Sequence, residues 1–543
     1  MAGAASSTVP TFPPVARWAL VALALALLNA SLTIVNIWPT PFVRLSGDLS
    51  LEVLATAVLL ALLEPWVRPR TTGVARALAA LWVALTIGRY ADVTARSLWG
   101  RPINLYWDMP HLPAVGAMLA AVATPRVLVA ALAGLVLVPT LLYLPLRWAF
   151  ARLIDGTADQ TIRRVVVALA LVAAGWGAVQ RVDPDQVPQW PGIATPVTVV
   201  WAAQARQYAI EMGGAGVRAL GPAPIVESTL ERVLGADVLL LFVESYGAVS
   251  WERPAFAKAL GPVRQQLDDA IGATGRSVVS TYLDSPTFGG ESWLAHISLL
   301  SGTEVRDGAT NLRLMGQRRD TMVTAFARHG YRTVAIMPGI RGRWREGAFY
   351  GFDKVYDADA LAYRGPSFGW WDITDQFALA RLDALELAPG GRQPVFAVFP
   401  TISTHTPFTP APPYQPDWAR VLTPDSHDRA ELDAAWAIPA DWLDLGPGYV
   451  RALTYAYQTF GGYLRLRADR DFVLILVGDH QPPALVSGEG APWHVPMHVI
   501  TSRPAVLAAL EAHGFRPGLR PELPLTSRLH EALPRLLDAF GSR

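Results

Sequence analysis

The chain has 543 residues, which is enough for more than one domain. Its 46 basic and 45 acidic side chains leave a net charge of +1, so the basic excess of a nucleic-acid-binding protein is absent. The lack of cysteine excludes disulfides, zinc–thiolate sites and cysteine nucleophiles. The hydrophobic share of 52% is high for a soluble protein and predicts membrane spans.

Apolar runs dominate the first third of the chain. A helix needs about 20 apolar residues to cross a bilayer, and the pattern predicts about five spans. The predicted spans are 16–38, 49–66, 74–87, 127–150 and 165–179. The shorter stretch 112–124 is interpreted as an interfacial or re-entrant helix, with a sixth span as the alternative. The spans contain almost no ionisable residues, which favours an anchor over a transporter.

Arginines cluster in the loops after the second and fourth predicted spans, and the positive-inside rule places both loops in the cytoplasm. These arginines are Arg68, Arg70 and Arg76 in the first loop, and Arg147, Arg152, Arg163 and Arg164 in the second. With five spans, everything after about residue 182 then lies outside the cytoplasm. We therefore expect an anchor over 1–182, a Pro-rich linker and juxtamembrane helix over 183–234, and an extracytoplasmic domain over 235–543.

The extracytoplasmic part alternates short apolar runs with helical patterns. Strands are predicted at 237–243, 277–283, 332–337, 395–400, 472–477 and 495–501. Helices are predicted at 292–300, 320–329, 371–387, 449–468 and 505–513. Such alternation predicts an α/β domain, a mainly parallel sheet sandwiched by helices, behind an α-helical transmembrane bundle. In such sheets ligands bind beyond the carboxyl ends of the strands.

Two predicted strands end in side chains that bind metals. Glu244 follows DVLLLFV, and Asp479 and His480 follow DFVLILVG. Two carboxylates and an imidazole suit manganese, magnesium or zinc. Taken alone, Glu244 could equally form an ion pair or cap a helix.

A third segment, SPTFGGESWLAHISLLSG, predicts a glycine turn that opens a helix at Ser292. A helix N-terminus favours an anion such as phosphate, and a hydroxyl there could attack phosphorus. The alternative is that Ser292 is only an N-cap. His405 and His494 flank other predicted strands, and arginines 341, 343 and 345 surround Trp344 in a loop that could either grip phosphate or be solvated.

The motifs FVESYG, GGESWLAHISLLSG, THTPF and VGDHQPP occur in this order and together resemble the alkaline phosphatase and sulfatase superfamily. Over about residues 235–503 the chain is most similar to the membrane-bound lipoteichoic acid synthases and the phosphoglycerol transferases of periplasmic glucans. The resemblance implies a multi-pass protein of the bacterial inner (cytoplasmic) membrane with its catalytic domain in the periplasm. It also implies one divalent metal ion, with Mn²⁺ favoured over Mg²⁺ or Zn²⁺.

The resemblance further implies roles for individual residues. The implied metal ligands are Glu244, Ser292, Asp479 and His480, with Ser292 also the nucleophile. His405 would contact the phosphate or protonate the leaving alcohol. The implied substrate contacts, besides His405, are Trp344, Arg343, Arg345 and, more weakly, His494.

The sequence departs from the family pattern in three ways. Related transferases use threonine where this chain has Ser292, which makes Thr287 the fallback nucleophile. Sulfatases need proline and arginine at the positions that Leu294 and His296 occupy, which disfavours sulfate-ester hydrolysis. The absence of cysteine disfavours the disulfide-bearing phosphoethanolamine transferases.

The expected activity is transfer of a phospholipid headgroup phosphate, phosphoglycerol first, through a Ser292 phosphoenzyme to a glycan, a glycolipid or water. The alternatives are a phosphatase, phosphodiesterase or sulfatase-type hydrolase, a phosphoethanolamine transferase, and a non-enzymatic headgroup sensor. No nucleic acid and no obligate protein partner is expected.

Overall fold

The computed structural model describes residues 13–542 except 39, 123–124, 183–186, 189, 214–219, 343, 345 and 370–371. The chain divides into two compact units. The first comprises Met1–Ala95, Ile103–His111 and Ala123–Met212, and the second Arg96–Pro102, Leu112–Val122 and Gly213–Arg543.

Long apolar helices dominate the first unit. Four are long and apolar enough to cross a membrane, namely Pro14–Leu32, Glu64–Trp99, Leu128–Thr157 and Gln160–Val182. The predicted second span instead forms the helix Leu51–Leu62, whose 12 residues fall short of a bilayer's thickness. Placing the chain after residue 182 outside the cytoplasm does not require this helix to cross, because four crossings with both arginine-rich loops in the cytoplasm give the same side. That orientation stays a prediction.

Smaller elements complete the first unit. They are the antiparallel pair Ile34–Asn36 and Val43–Leu45, and the helices Leu105–Asp108, Met109–His111 and Val197–Met212. The long helix Glu64–Trp99 consists of Glu64–Val67, Arg68–Arg70 and Thr71–Trp99, and Leu128–Thr157 is part of Pro125–Thr157. A buried cluster unites the long helices, with the rings of Trp82 and Phe150 edge to face at 5.2 Å between centroids. The segment 112–124 contains an 11-residue helix, Leu112–Val122, which belongs to the second unit.

The second unit is built on a nine-stranded sheet. Its strands are β1 (Asp237–Val243), β2 (Ser277–Asp284), β3 (Arg332–Met337), β4 (Lys354–Asp357), β5 (Val395–Pro400), β6 (Phe472–Gly478), β7 (His494–Thr501), β8 (Arg516–Pro517) and β9 (Ser527–Arg528). The order is β8-β2-β7-β6-β1-β5-β3-β4, with β9 beside β2. Strands β6, β1, β5, β3 and β4 run parallel, whereas β7 runs antiparallel to both neighbours.

Both faces of the sheet are covered, because every residue of β1 and β6 is buried. The covering helices are Val249–Glu252, Pro254–Ala273, Ser292–Ser301, Gly308–Met315, Met322–Arg328, Gly347–Tyr350, Ala358–Leu361, Asp375–Leu382, Asp383–Leu387, Trp418–Val421, Arg429–Trp436, Gly446–Leu466, Ala484–Ser487, Pro504–Ala512, Leu529–Glu531 and Ala532–Phe540. The predicted fold class, apolar helices followed by a mainly parallel α/β sandwich, is confirmed.

Two helices begin later than predicted because side chains cap them. The hydroxyl of Thr321 accepts from the amide of Thr324, so the first of these helices begins at Met322 rather than 320. The hydroxyl of Thr374 accepts from the amide of Phe377, so the second begins at Asp375 rather than 371. The edge strand β4 escaped prediction because it has only four residues.

Candidate metal and phosphate site

Three parallel strands, β5, β1 and β6, end side by side at one edge of the sheet. Val243 pairs with Gly478, so Glu244 and Asp479, the next residues, leave adjacent strands at the same level. A side chain on residue 478 would place its Cβ 1.9 Å from the Tyr246 carbonyl oxygen, which is why this position requires glycine. The fold therefore brings the two carboxylates together.

Three buried residues, Glu244, Asp479 and His480, each offer a ligand atom within 4.8 Å of the others. We call these three residues the Asp479 cluster. Asp479 Oδ1 accepts hydrogen bonds from the amides of Ser245 at 2.9 Å and His480 at 2.6 Å. His480 Nδ1 lies 2.7 Å from the Gln481 carbonyl, which makes Nδ1 the donor and leaves the Nε2 lone pair for a ligand.

The electrostatics of the Asp479 cluster suit a cation. Burial raises the pKa of Asp479 well above its ordinary value, and the neighbouring Glu244 carboxylate raises it further. Burial also acts to raise the pKa of Glu244, but His480, His405 and two hydrogen bonds outweigh it and lower this pKa to about 2. Among the described residues, no arginine or lysine pairs with either carboxylate. Two buried carboxylates without a basic partner, beside a neutral imidazole, fit a divalent metal ion.

Ser292 lies at the same place. It is the first residue of the helix Ser292–Ser301, after Glu291, which adopts a left-handed conformation with φ 60°. The Ser292 hydroxyl donates to Glu244 Oε2 at 2.7 Å and lies 3.1 Å from His480 Nε2. The interpretation of Ser292 as an N-cap is therefore wrong, because its oxygen contacts the Asp479 cluster and Glu291 holds the cap position.

Thr287 is directed elsewhere. Its hydroxyl donates to the Gly290 carbonyl at 2.6 Å and shapes the turn before the helix. The neighbouring Ser285 hydroxyl donates to the Asp479 carbonyl at 2.5 Å. The segment 285–290 thus joins the nucleophile turn to the Asp479 cluster, and Thr287 makes a structural contact in it.

The loop after β5 closes another side of the site. Thr401 accepts from the Glu244 amide at 3.1 Å, and the Thr404 hydroxyl donates to the Glu244 carbonyl at 2.6 Å. The charge of His405 lowers the pKa of Glu244, so this imidazole lies close to the cluster. His405 Nδ1 lies 2.6 Å from the Thr406 carbonyl, a contact that orients the ring.

Among the described residues, no hydrogen bond, ion pair or ring contact links the other predicted substrate-binding residues to the Asp479 cluster. Trp344 stacks on Tyr350 with ring centroids 5.6 Å apart, and Arg341 pairs with Asp372. His494 lies at the start of β7 with its ring 6.2 Å from that of Tyr282. Arg343 and Arg345 lie outside the described residues.

Sequence reasoning gave no role to three features of the site. His296 lies one turn after Ser292, with Nε2 4.0 Å from Asp479 Oδ2, and burial lowers its pKa to about 3. Thr401 and Thr404 bind the Glu244 backbone. Asp375 accepts from the amides of Ile402 and Ser403 and braces the His405 loop. Only His296 carried a sequence signal, its spacing of four residues from Ser292.

Part of the second unit matches a known family model. Residues 297–507 match the sulfatase family model, a span that includes His405, Asp479 and His480 and begins after Ser292. No curated protein matches the chain in sequence.

Several solved structures resemble the chain at low identity. Lipooligosaccharide phosphoethanolamine transferase A (EptA) of Neisseria meningitidis is 15% identical with a TM-score of 0.44, over 96% of this chain and 95% of that one. The lipoteichoic acid synthase LtaP of Listeria monocytogenes is 14% identical with a TM-score of 0.38, over 62% and 78%. Streptococcus pyogenes phosphoglycerol transferase GacH is 11% identical with a TM-score of 0.34, over 63% and 92%. The chain thus has a segment, 297–507, that matches the sulfatase family model, and four described helices that are long and apolar enough to cross a membrane.

Proposed function

We propose that this protein is a metal-dependent phosphotransferase that takes the headgroup phosphate of a membrane phospholipid, phosphoglycerol first, and passes it to a glycan or lipid acceptor. The observation that carries the proposal is the Ser292 hydroxyl, 2.7 Å from Glu244 Oε2 and 3.1 Å from His480 Nε2. A serine held against a carboxylate and an imidazole at a helix N-terminus is suited to attack phosphorus there.

Glu244, Asp479, His480 and Ser292 would hold the cation, for which Mn²⁺ is our first choice ahead of Mg²⁺ or Zn²⁺. When bound, the cation supplies a lower pKa for the Ser292 hydroxyl and a counter-charge for the phosphate. The N–H groups at the start of the helix Ser292–Ser301 add a favourable field for the anion.

In the first half-reaction the Ser292 hydroxyl, which Glu244 Oε2 orients by their hydrogen bond, loses its proton to water. Ser292 Oγ forms a bond to phosphorus while the bond from phosphorus to the diacylglycerol oxygen breaks. His405 protonates that leaving oxygen from Nε2, since its Nδ1 is held by the Thr406 carbonyl. In the second half-reaction an acceptor hydroxyl gives its proton to His405, bonds to phosphorus and releases Ser292, which takes up a proton from water.

The membrane helices support a lipid donor. Four helices are long and apolar enough to cross a bilayer, which would keep the enzyme at the surface where phospholipids are concentrated. A free phosphate ester in solution would gain nothing from this confinement.

The test is turnover of defined donors by the full-length protein in lipid nanodiscs with Mn²⁺. Diacylglycerol released from phosphatidylglycerol and from phosphatidylethanolamine is compared with sulfate released from an aryl sulfate. We expect phosphatidylglycerol to be used at least about 10-fold faster than phosphatidylethanolamine, with no sulfate released. Faster use of phosphatidylethanolamine would reassign the donor. Sulfate release, or no diacylglycerol from either lipid, would overturn the proposal.

A further inference from the structure

A second imidazole lies beside the Asp479 cluster and has no part in the scheme above. His296 follows Ser292 by one turn of the same helix, and residues four apart share a helix face. Its ring packs on Phe242 of β1 with centroids 4.4 Å apart. This packing directs Nε2 towards Asp479, whose Oδ2 lies 4.0 Å away.

The Nε2 atom of His296 has no hydrogen-bond partner among the residues that the structure describes. This atom is also sealed from solvent. The 4.0 Å to Asp479 Oδ2 is too long for a hydrogen bond. Because a buried polar atom without a hydrogen-bond partner is destabilising, we expect a species other than the protein to lie between the two atoms.

The geometry on the Asp479 side fits a shared ion. Oδ1 already accepts from the amides of Ser245 and His480, so Oδ2 is the oxygen available to a ligand. Two atoms that bind one divalent ion at about 2.1 Å lie about 3–4 Å apart. The observed 4.0 Å lies at the upper end of this spacing.

We propose that His296 is a further nitrogen ligand of the divalent cation held by the Asp479 cluster. This inference rests on the proposed metal-dependent function and deepens it. A site with two imidazoles favours Mn²⁺ or Zn²⁺ over Mg²⁺, which prefers oxygen ligands. His296 would therefore determine which cation the enzyme selects.

The experiment uses the metal-free full-length protein in detergent, titrated with Mn²⁺ alone. Calorimetry measures the Kd, and electron spin-echo modulation counts the histidine nitrogens coupled to the manganese. We expect two coupled imidazoles in the wild type and one in His296→Gln, with the Kd weakened about 10-fold or more. The matched control is His498→Gln, which removes a buried imidazole that contacts Ser280 and Tyr246 and should change neither reading.

The outcomes separate this inference from the proposed function. One coupled imidazole in the wild type, with an unchanged Kd in His296→Gln, would overturn the role of His296 and leave metal dependence intact. No binding of Mn²⁺, Zn²⁺ or Mg²⁺ by the wild type would overturn both. If His296→Gln fails to fold, a wild-type count of one imidazole still overturns the role of His296.

Discussion

The sequence suggests two phosphate-binding regions, the Asp479 cluster and the Trp344 loop (residues 341–350), and the two differ in burial and in charge pairing. Glu244, Asp479 and His480 are 7%, 1% and 1% exposed, and their polar atoms converge. In the loop, the side chain of Arg341 is 65% exposed and pairs with Asp372. Charge left uncompensated inside the fold points to a ligand, whereas charge satisfied at the surface gives no such indication.

The largest effect should come from the Asp479 cluster. Asp479→Ala removes the carboxylate that joins the ends of β1 and β6, so we expect Mn²⁺ affinity to fall about 100-fold or more and turnover to be lost. Calorimetry of the metal-free protein measures the first effect and diacylglycerol release the second. Unchanged metal content after dialysis would remove Asp479 from the ligand set.

A smaller effect tests whether the cluster depends on its backbone support. Thr404→Val keeps the shape of the side chain but deletes the hydroxyl that donates to the Glu244 carbonyl at 2.6 Å. Losing this buried hydrogen bond should lower the free energy of unfolding by about 1–2 kcal/mol. It should also lower kcat more than it raises KM. Thr423→Val, which removes a hydroxyl bonded to Arg420 in an exposed turn, is the control. Equal kinetics in the two variants would contradict this support.

Stability against pH tests the brace under the His405 loop. Burial raises the pKa of Asp375 to about 6, although hydrogen bonds from the backbone amides of Ile402 and Ser403 act to lower it. In the unfolded chain the pKa of an aspartate is about 3.9, so the folded state holds the proton more tightly. The free energy of unfolding therefore falls by about 3 kcal/mol as the pH rises from about 4 to about 6. Relative to the wild type, Asp375→Asn should therefore gain thermal stability between pH 4 and pH 7. A constant difference in Tm would contradict the raised pKa.

The smallest effect is expected in the Trp344 loop. Arg341→Ala breaks an exposed pair with Asp372 and should change kcat and KM by less than about threefold. A tenfold rise in KM for the lipid donor would break the comparison, because it would make Arg341 a phosphate contact.

The sequence predicted the sheet and the meeting of Glu244 with Asp479 because both depend on local rules. Apolar runs predict strands, and parallel strands bring the residues after them to one edge. The contacts of Thr404 with Glu244 and of His296 with Asp479 join segments distant in the chain, and side-chain packing alone determines them. The second predicted span was overestimated because hydropathy does not detect the end of the helix at Leu62.

The most direct test of the central claim is the intact mass of the full-length protein in nanodiscs with Mn²⁺ and phosphatidylglycerol, without an acceptor, followed by peptide mapping. We predict a phosphoglycerol adduct on Ser292 that is retained in Thr287→Val and absent from Ser292→Ala, since a covalent intermediate accumulates when its resolution is slow. An adduct on Thr287, or diacylglycerol release by Ser292→Ala at the wild-type rate, would contradict the account.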